Sequence, residues 1–355
     1  LFWRSLTQWL GGMGIIVLSL SFMPIFGIGG IQLFTAEVPG PTPDKISPKI
    51  HQTARTLWLI YILFTTLEVL LLWLGGMSWF DSVCHSLTTM ATGGFSTKQA
   101  SIAHWDSPFI HYVIIFFMVV AGTNFSLTYL VLKGRFSRLY KDEEFKYYIL
   151  FIFGFAIMVF SGLLITTSLG AEKAFRDALF QVVSIITTTG YATADYLTWA
   201  PILTILIFAL FFFGGSAGST GGGIKIMRIV VLLKNSYYEL RRIIHPNAVI
   251  PVRFNGHSVD SKILNNVLAF FMFYMIVFFL STILFMIFVP DIETAMGAVA
   301  TSLGNIGPGL GAVGPAETFI DIEPAGKWFL SFLMLLGRLE LFTVLVIFSP
   351  SFWKQ

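Results

Sequence analysis

Stretches of about twenty apolar residues recur along this chain, the length a helix needs to cross a bilayer core of roughly 30 Å. Candidate spans are Leu10–Phe26, Leu57–Leu74, Phe109–Leu132, Tyr147–Leu169, Pro201–Leu233, Val267–Val289 and Trp328–Phe348. A soluble chain of this length needs a charged skin. Here 55% of residues are hydrophobic and 12% charged, about half the charged share of a soluble domain. The sequence therefore predicts an all-α integral membrane protein. Between the spans lie Trp79–Ala91, Ala174–Thr188 and Thr294–Leu303, too short or too mixed to cross.

The basic residues orient these spans. The linkers over 35–56, 133–146 and 225–262 hold fifteen of the 22 Lys and Arg, whereas the stretches over 75–109, 170–200 and 290–326 hold only Lys98, Lys173 and Arg176. Basic linkers are retained on the cytoplasmic side. The other stretches then face outward, and their acids, among them Asp81, Asp106, Glu172 and Asp291, attract cations.

A repeat follows from this order: helix, short outward segment, helix, cytoplasmic linker. It divides the chain into residues 57–146, 147–262 and 263–355, read as second, third and fourth repeats. Residues 1–56 read as the inner helix of an incomplete first repeat with its linker. The chain opens on Leu1 within an apolar segment, so it is expected to be a piece of a longer protein.

The three short segments share a spacing. Asp81, Asp177 and Thr294 each stand thirteen residues before a glycine, namely Gly94, Gly190 and Gly307. The expectation is a helix started by the Asp or Thr, about three turns long, then extended glycine-bearing backbone. Such backbone is tolerated at membrane depth only where protein buries it or a water-filled path runs beside it. Carbonyl oxygens turned toward a path replace the water shell of an ion without trapping it, and a Thr-Thr-Gly-Tyr run is the pattern of a potassium filter. The short helix brings its partly negative C-terminus to the same place. A single Gly-rich end is equally a cap and turn; three with one spacing favour a pore.

The runs Ala91–Thr97, Thr187–Asp195 and Ser302–Gly311, with Gly214–Lys225 and Gly337–Glu340, resemble the Trk/Ktr/HKT potassium transporter superfamily. The resemblance covers essentially the whole chain. It implies tandem helix–pore loop–helix repeats with pseudo-fourfold symmetry around one ion pore, in the bacterial inner (plasma) membrane, and a filter formed by Thr92, Gly93, Gly94 and Phe95, by Thr188, Thr189, Gly190 and Tyr191, and by Asn305, Ile306, Gly307 and Pro308. It also implies a homodimer gated by a cytoplasmic nucleotide-binding regulatory ring subunit. Potassium is the transported ion, and neither an organic cofactor nor a nucleic-acid partner is expected. One quarter of the filter, contributed by the first repeat, lies outside this sequence. In the superfamily a glycine at that position goes with potassium selectivity and a serine with sodium.

The span Pro201–Leu233 is too long for one crossing and is cut by Gly214, Gly215, Ser216, Gly218, Ser219, Thr220, Gly221, Gly222 and Gly223, with Lys225 just beyond. With the resemblance this reads as a movable plug; on composition alone it is equally a hinge of small residues. It is not a phosphate loop, since no Gly-Lys-Ser/Thr ending is present. Arg338 lies near mid-membrane, where an arginine must face a cavity or a partner. It is assigned to the pore, with pairing to Glu68 or Glu340 as the alternative. Glu68 reads either as a proton-relay carboxylate of a symporter or as a satisfied structural group. Arg241 and Arg242, beside Tyr237 and Tyr238, are expected at lipid headgroups or the ring partner. His104 and His111 are expected at the membrane interface, and the six histidines and Cys84 form no metal-ligand pattern. A secondary transporter for another small solute remains the competing class, but its inverted repeats do not match units that all begin on the cytoplasmic side. An enzyme is disfavoured for want of clustered catalytic groups.

Overall fold

A computed structural model describes residues 1–12, 50–248, 250–339, 341–347, 350 and 352–353. The expected span Leu10–Phe26 beyond Gly12, most of the first basic linker, and Glu340 lie outside the described residues.

After α1 (Phe2–Gly12), the stretch expected to be the second repeat holds α2 (Ile50–Leu74), α3 (Trp79–Met90), α4 (Pro108–Ala121) and α5 (Phe125–Leu132). A short α6 (Ser137–Lys141) leads to the third: α7 (Glu143–Thr166), α8 (Ala171–Ile186), α9 (Pro201–Leu210) and α10 (Ile226–Ile244). A hairpin of β1 (Arg253–Phe254) and β2 (His257–Ser258) turns on Asn255–Gly256, both at positive φ, the geometry an Asn-Gly turn favours. The fourth repeat is α11 (Ser261–Phe285), α12 (Ile292–Gly304), α13 (Pro324–Arg338) and α14 (Leu341–Ile347).

Each outer helix is an apolar rod. Ala54–Leu74, Glu143–Thr166 and Ser261–Phe285 are long enough to span, with mean hydropathy of 2.1 to 2.6. Asp142 and Asp260 cap α7 and α11 by accepting the N–H of Phe145 and Lys262. The inner helices α4, α9 and α13 all begin with proline at the first turn, where its missing N–H costs nothing. Leu59, Leu63, Ile157, Ile165, Phe279 and Ile283 stay exposed on the outer helices, as lipid-facing residues should.

Two expected single spans are broken. Phe109–Leu132 bends by 108° between α4 and α5, where Gly122 ends one helix and the Asn124 side chain caps the next. Trp328–Phe348 stops at Arg338 and restarts at Leu341. The break in Pro201–Leu233 is wider than the glycine run, from Phe211 to Lys225, and α10 continues to Ile244. All three inner helices are thus interrupted, and only the glycine-rich one announced itself.

The short helices α3, α8 and α12 are the most enclosed elements, although their sequences are polar. Ser82, Ser86, Thr88, Gln181, Ser184, Thr301 and Ser302 are all buried. Each packs on the outer helix of its own repeat; α3 also meets α1, and α8 meets α4, the inner helix of the preceding repeat. An inside that is more polar than the outside is what a path for a hydrated ion requires.

Candidate functional site

The three short helices end alike. Thr92, Thr188 and Asn305 all take the left-handed conformation, with φ of 51°, 57° and 55°. Their N–H groups bond to the Thr89, Ile185 and Ser302 carbonyls, and the next N–H groups, of Gly93, Thr189 and Ile306, reach back to Thr88, Ser184 and Thr301. This pair of bonds is the Schellman ending of a helix, in which glycine usually holds the left-handed position. A Thr there is strained and an Asn less so, yet all three repeats keep one or the other. The following glycines, Gly94, Gly190 and Gly307, have φ of 63°, 83° and 125°.

These glycine turns meet. A Cβ on Gly94 would lie 2.0 Å from the Thr189 carbonyl oxygen, and one on Gly190 would lie 2.1 Å from that of Ile306. Only a residue without a side chain allows consecutive turns to approach so closely. Above them opens a cavity of ≈ 380 Å³ lined by Gly93, Gly94, Thr189, Gly190, Gly307 and Pro308, among others. Below them a cavity of ≈ 500 Å³ is lined by Thr92, Gly93, Thr188, Asn305, Ile306, Gly307, Gly222 and Arg338, among others. The same turns are the floor of one cavity and the roof of the other.

Side chains brace this arrangement from behind. Tyr191 is fully buried, and its hydroxyl lies 2.6 Å from Thr88 Oγ1 and donates to the His85 carbonyl at 3.1 Å. Its own carbonyl accepts from Ser184 Oγ at 2.7 Å, as the Phe95 carbonyl accepts from Thr88 Oγ1 at 3.0 Å. Thr301 Oγ1 accepts the Gly307 N–H at 2.9 Å. The Arg4 guanidinium stacks 3.6 Å over the Phe95 ring at the outer cavity.

The shared Asp/Thr spacing has another cause than capping. The N-caps are Ser78 and Asp291, and α8 begins after Gly170. Asp81 and Thr294 lie in the first turn and Asp177 well inside α8. What Asp81 and Thr294 share is the segment that climbs away from the turn: Thr97 Oγ1 donates to Asp81 Oδ1 at 2.5 Å, and Ala312 N–H donates to Thr294 Oγ1 at 3.0 Å. At the outer rim, partial burial pushes the Asp81 carboxyl up. The hydroxyls of Thr97 and Ser78 and the Lys98 ammonium outweigh it and leave the group below its ordinary value.

The glycine-rich break lies directly beneath. Its tip touches the carbonyl ends of all three short helices. Thr220 Oγ1 lies 3.0 Å from the Met90 carbonyl oxygen, while a Cβ on Gly221 or Gly222 would lie 3.0 Å from the Thr187 carbonyl oxygen or 2.8 Å from that of Gly304. Gly222 N–H donates to Thr188 Oγ1 at 2.6 Å. Ser216 N–H donates to the Gly122 carbonyl at 2.8 Å, Phe125 N–H donates to that of Gly218 at 3.2 Å, and Ser219 Oγ bonds within the loop to Ser216. Gly214 and Gly223 face each other across its neck, and Ile226 N–H donates to the Gly215 carbonyl. Buried Lys225 donates to the Gly221 carbonyl. Arg338 Nη1 donates to the Thr220 carbonyl at 3.0 Å and borders the lower cavity. The arginine therefore engages the loop, and the alternative pair with Glu68 is not formed. Glu68 is fully buried, and its oxygens have no hydrogen-bond partner among the described residues.

In the first turn of α4, His111 is buried, bonded to the Trp105 carbonyl at 2.8 Å and to Arg176 at 3.1 Å, while His104 is exposed. Arg241 stays exposed against Tyr237. Among the described residues no group of three His, Cys, Asp or Glu could hold a metal ion. Sequence reasoning missed Glu144, a buried carboxylate that accepts the Ala217 N–H of the loop at 2.7 Å. Its only sign was the run Asp142-Glu143-Glu144 at a helix start, which reads as ordinary capping.

Residues 1–355 match the family described as TrkH, cation transport protein. The Trk system potassium uptake protein TrkH of Escherichia coli (strain K12) is 43% identical over 360 residues, covering 100% of this chain and 74% of that protein. TrkH of Halomonas elongata is 41% identical over 357 residues, with the same coverage. The crystal structure of the potassium transporter TrkH from Vibrio parahaemolyticus superposes with a TM-score of 0.86 at 38% identity, over 99% of this chain and 72% of that one. The chain belongs to the TrkH family of cation transport proteins, which are helical membrane transporters.

Proposed function

We propose that this chain takes up potassium through the glycine turns and that the loop beneath them, with Arg338, is the gate. The observation that carries the reading is the convergence of Gly94, Gly190 and Gly307 between an outer and an inner cavity. The names of the relatives, potassium uptake proteins of a Trk system, support the choice of ion.

An ion arriving from the acidic outer face loses its water in the turns, where backbone carbonyls offer dipoles in its place. The C-termini of α3, α8 and α12 add partial negative charge at the same level. Below, a cation meets the loop tip and the Arg338 guanidinium. The loop fills the path, and the fixed positive charge raises the barrier behind it. The three repeats supply three positions of a pseudo-fourfold filter. A homodimer and a cytoplasmic nucleotide-binding ring that moves the loop complete the assignment, in keeping with the Trk system named for the relatives.

Vesicles containing the protein should pass potassium and rubidium well and sodium poorly. Arg338→Ala should raise that flux by about tenfold, the effect of removing one charge-assisted hydrogen bond and a like charge from a closed state. Equal sodium and potassium flux would reject the filter, and an unaltered Arg338→Ala flux would reject the gate.

A further inference from the structure

The loop is fastened at its base as well as at its tip, and the base fastening leads toward the cytoplasmic hairpin. Glu144 Oε1 accepts the Ala217 N–H at 2.7 Å and the Met227 N–H at 3.3 Å. One carboxylate oxygen thereby bridges the loop and the first turn of α10 that follows it. Glu144, Ala217 and Met227 are all buried, so the amides would pay a full desolvation cost without it.

The preceding residue faces another segment. Glu143 holds Lys234 Nζ of α10 at 2.9 Å and accepts the Asn255 N–H at 2.7 Å. Its own N–H donates to Asn255 Oδ1 at 2.7 Å, and Asn255 Nδ2 donates to Asp142 Oδ2 at 3.0 Å. Lys234 also donates to the Arg253 carbonyl at 3.0 Å. Consecutive helical residues point about 100° apart, so adjacent carboxylates at one helix start grip the loop and the hairpin separately.

We propose that Glu144 is a positioning residue for the gate, and that the pair Glu143–Glu144 transmits displacement of the 253–258 hairpin and α10 to the intramembrane loop. The proposal rests on reading that loop as the gate. Pulling the hairpin rocks the first turn of α7 and draws the Glu144 oxygen away from Ala217 and Met227, which frees the base of the loop. The link is short and polar, and it crosses from cytoplasm to membrane without passing through the filter.

The test combines hydrogen–deuterium exchange of residues 214–227 with rubidium flux, on the protein in vesicles. Glu144→Ala should speed loop exchange and raise flux by roughly tenfold, the scale set by loss of two buried hydrogen bonds. Glu144→Gln keeps an acceptor oxygen and should restore most of the wild-type behaviour, which a role for charge alone would not. Asn255→Ala lies outside the membrane segments, and should speed loop exchange while leaving residues 92–95 and 188–191 protected. Unchanged loop exchange in Glu144→Ala, or in Asn255→Ala, overturns the link. Faster exchange with unchanged flux upholds the link and rejects the loop as gate. Should Glu144→Ala not fold, Asn255→Ala and Glu144→Gln decide the matter.

Discussion

The glycine turns and the glycine-rich loop have similar compositions and opposite construction. Each turn is fastened to its own helix by bonds that span three and five residues, repeated in all three repeats. The loop keeps a few bonds of its own, from Ser219 to Ser216, Ile226 to Gly215 and Lys225 to Gly221, but most of its partners are distant: Gly122, Thr188, Glu144, Met90 and Arg338 hold it across 34 to 130 residues of sequence. Local bonds persist whatever the neighbours do. Bonds to other segments, at about 0.5–1.5 kcal/mol each, disappear together when those segments shift. Glycine therefore makes one region fit and the other release.

The largest effect that tests this contrast is a methyl group in the turns. Gly94→Ala and Gly190→Ala place a Cβ about 2 Å from a neighbouring carbonyl oxygen at positive φ. Overpacking and backbone strain each cost on the order of 1–3 kcal/mol. Potassium selectivity should be lost in both. At Gly307 a Cβ meets nothing nearer than 3.5 Å, so Gly307→Ala carries backbone strain without the clash and should retain more. Rubidium-to-sodium flux ratios rank the three. A Gly307 variant as damaged as the other two would show that strain alone decides. By contrast Gly218→Ala, whose Cβ would meet the Asn124 side chain at 3.3 Å, should spare the selectivity ratio.

The difference between the regions also explains what the sequence displayed. The turns were legible because their determinants are local: Thr92, Thr188 and Asn305 recur at one offset from Gly94, Gly190 and Gly307. The spans were legible because hydropathy is a local sum. The bend at Gly122–Asn124 and the stop after Arg338 were not, since a short break with a local cap hardly lowers the hydropathy summed over the whole stretch. The thirteen-residue spacing was visible but suggested capping by Asp81 and Thr294, whereas in space they hold the segments leaving the turns. Glu144 was invisible as a loop anchor, because its amide partners lie 73 and 83 residues away.

Two threonines at equivalent places sharpen the comparison at a smaller scale. Thr188 Oγ1 accepts the Gly222 N–H of the loop, while Thr92 Oγ1 donates to its own neighbour, the Ala91 carbonyl. Both are left-handed, so substitution by valine adds similar strain at each. Thr188→Val should free the loop tip and raise basal rubidium flux several-fold, about the worth of one neutral hydrogen bond; Thr92→Val should not. Equal effects would mean that the turn itself, and not its bond to the loop, had been disturbed.

The smallest effect concerns acid, and it separates two of the turns. Hydrogen bonds from Thr97 and Ser78, with Lys98 at 3.7 Å, hold the Asp81 carboxyl below its ordinary value despite partial burial. The folded value is therefore lower than the unfolded one of about 3.9. Its stabilisation is fully present above the unfolded value and is lost as pH falls through the folded one. Asp177 is shifted the opposite way, raised by burial; protonation there removes a desolvation cost, so acid should not loosen its segment. Lowering the pH through the carboxylate range should thus expose the amides of Thr97 and Lys98 to exchange before those of Thr193 and Ala194. In Asp81→Asn the amides of the second repeat should lose this pH dependence. If both segments opened at one pH, the carboxylates would not be what distinguishes them, and the outer rims of the two repeats would have to be regarded as one cooperative unit.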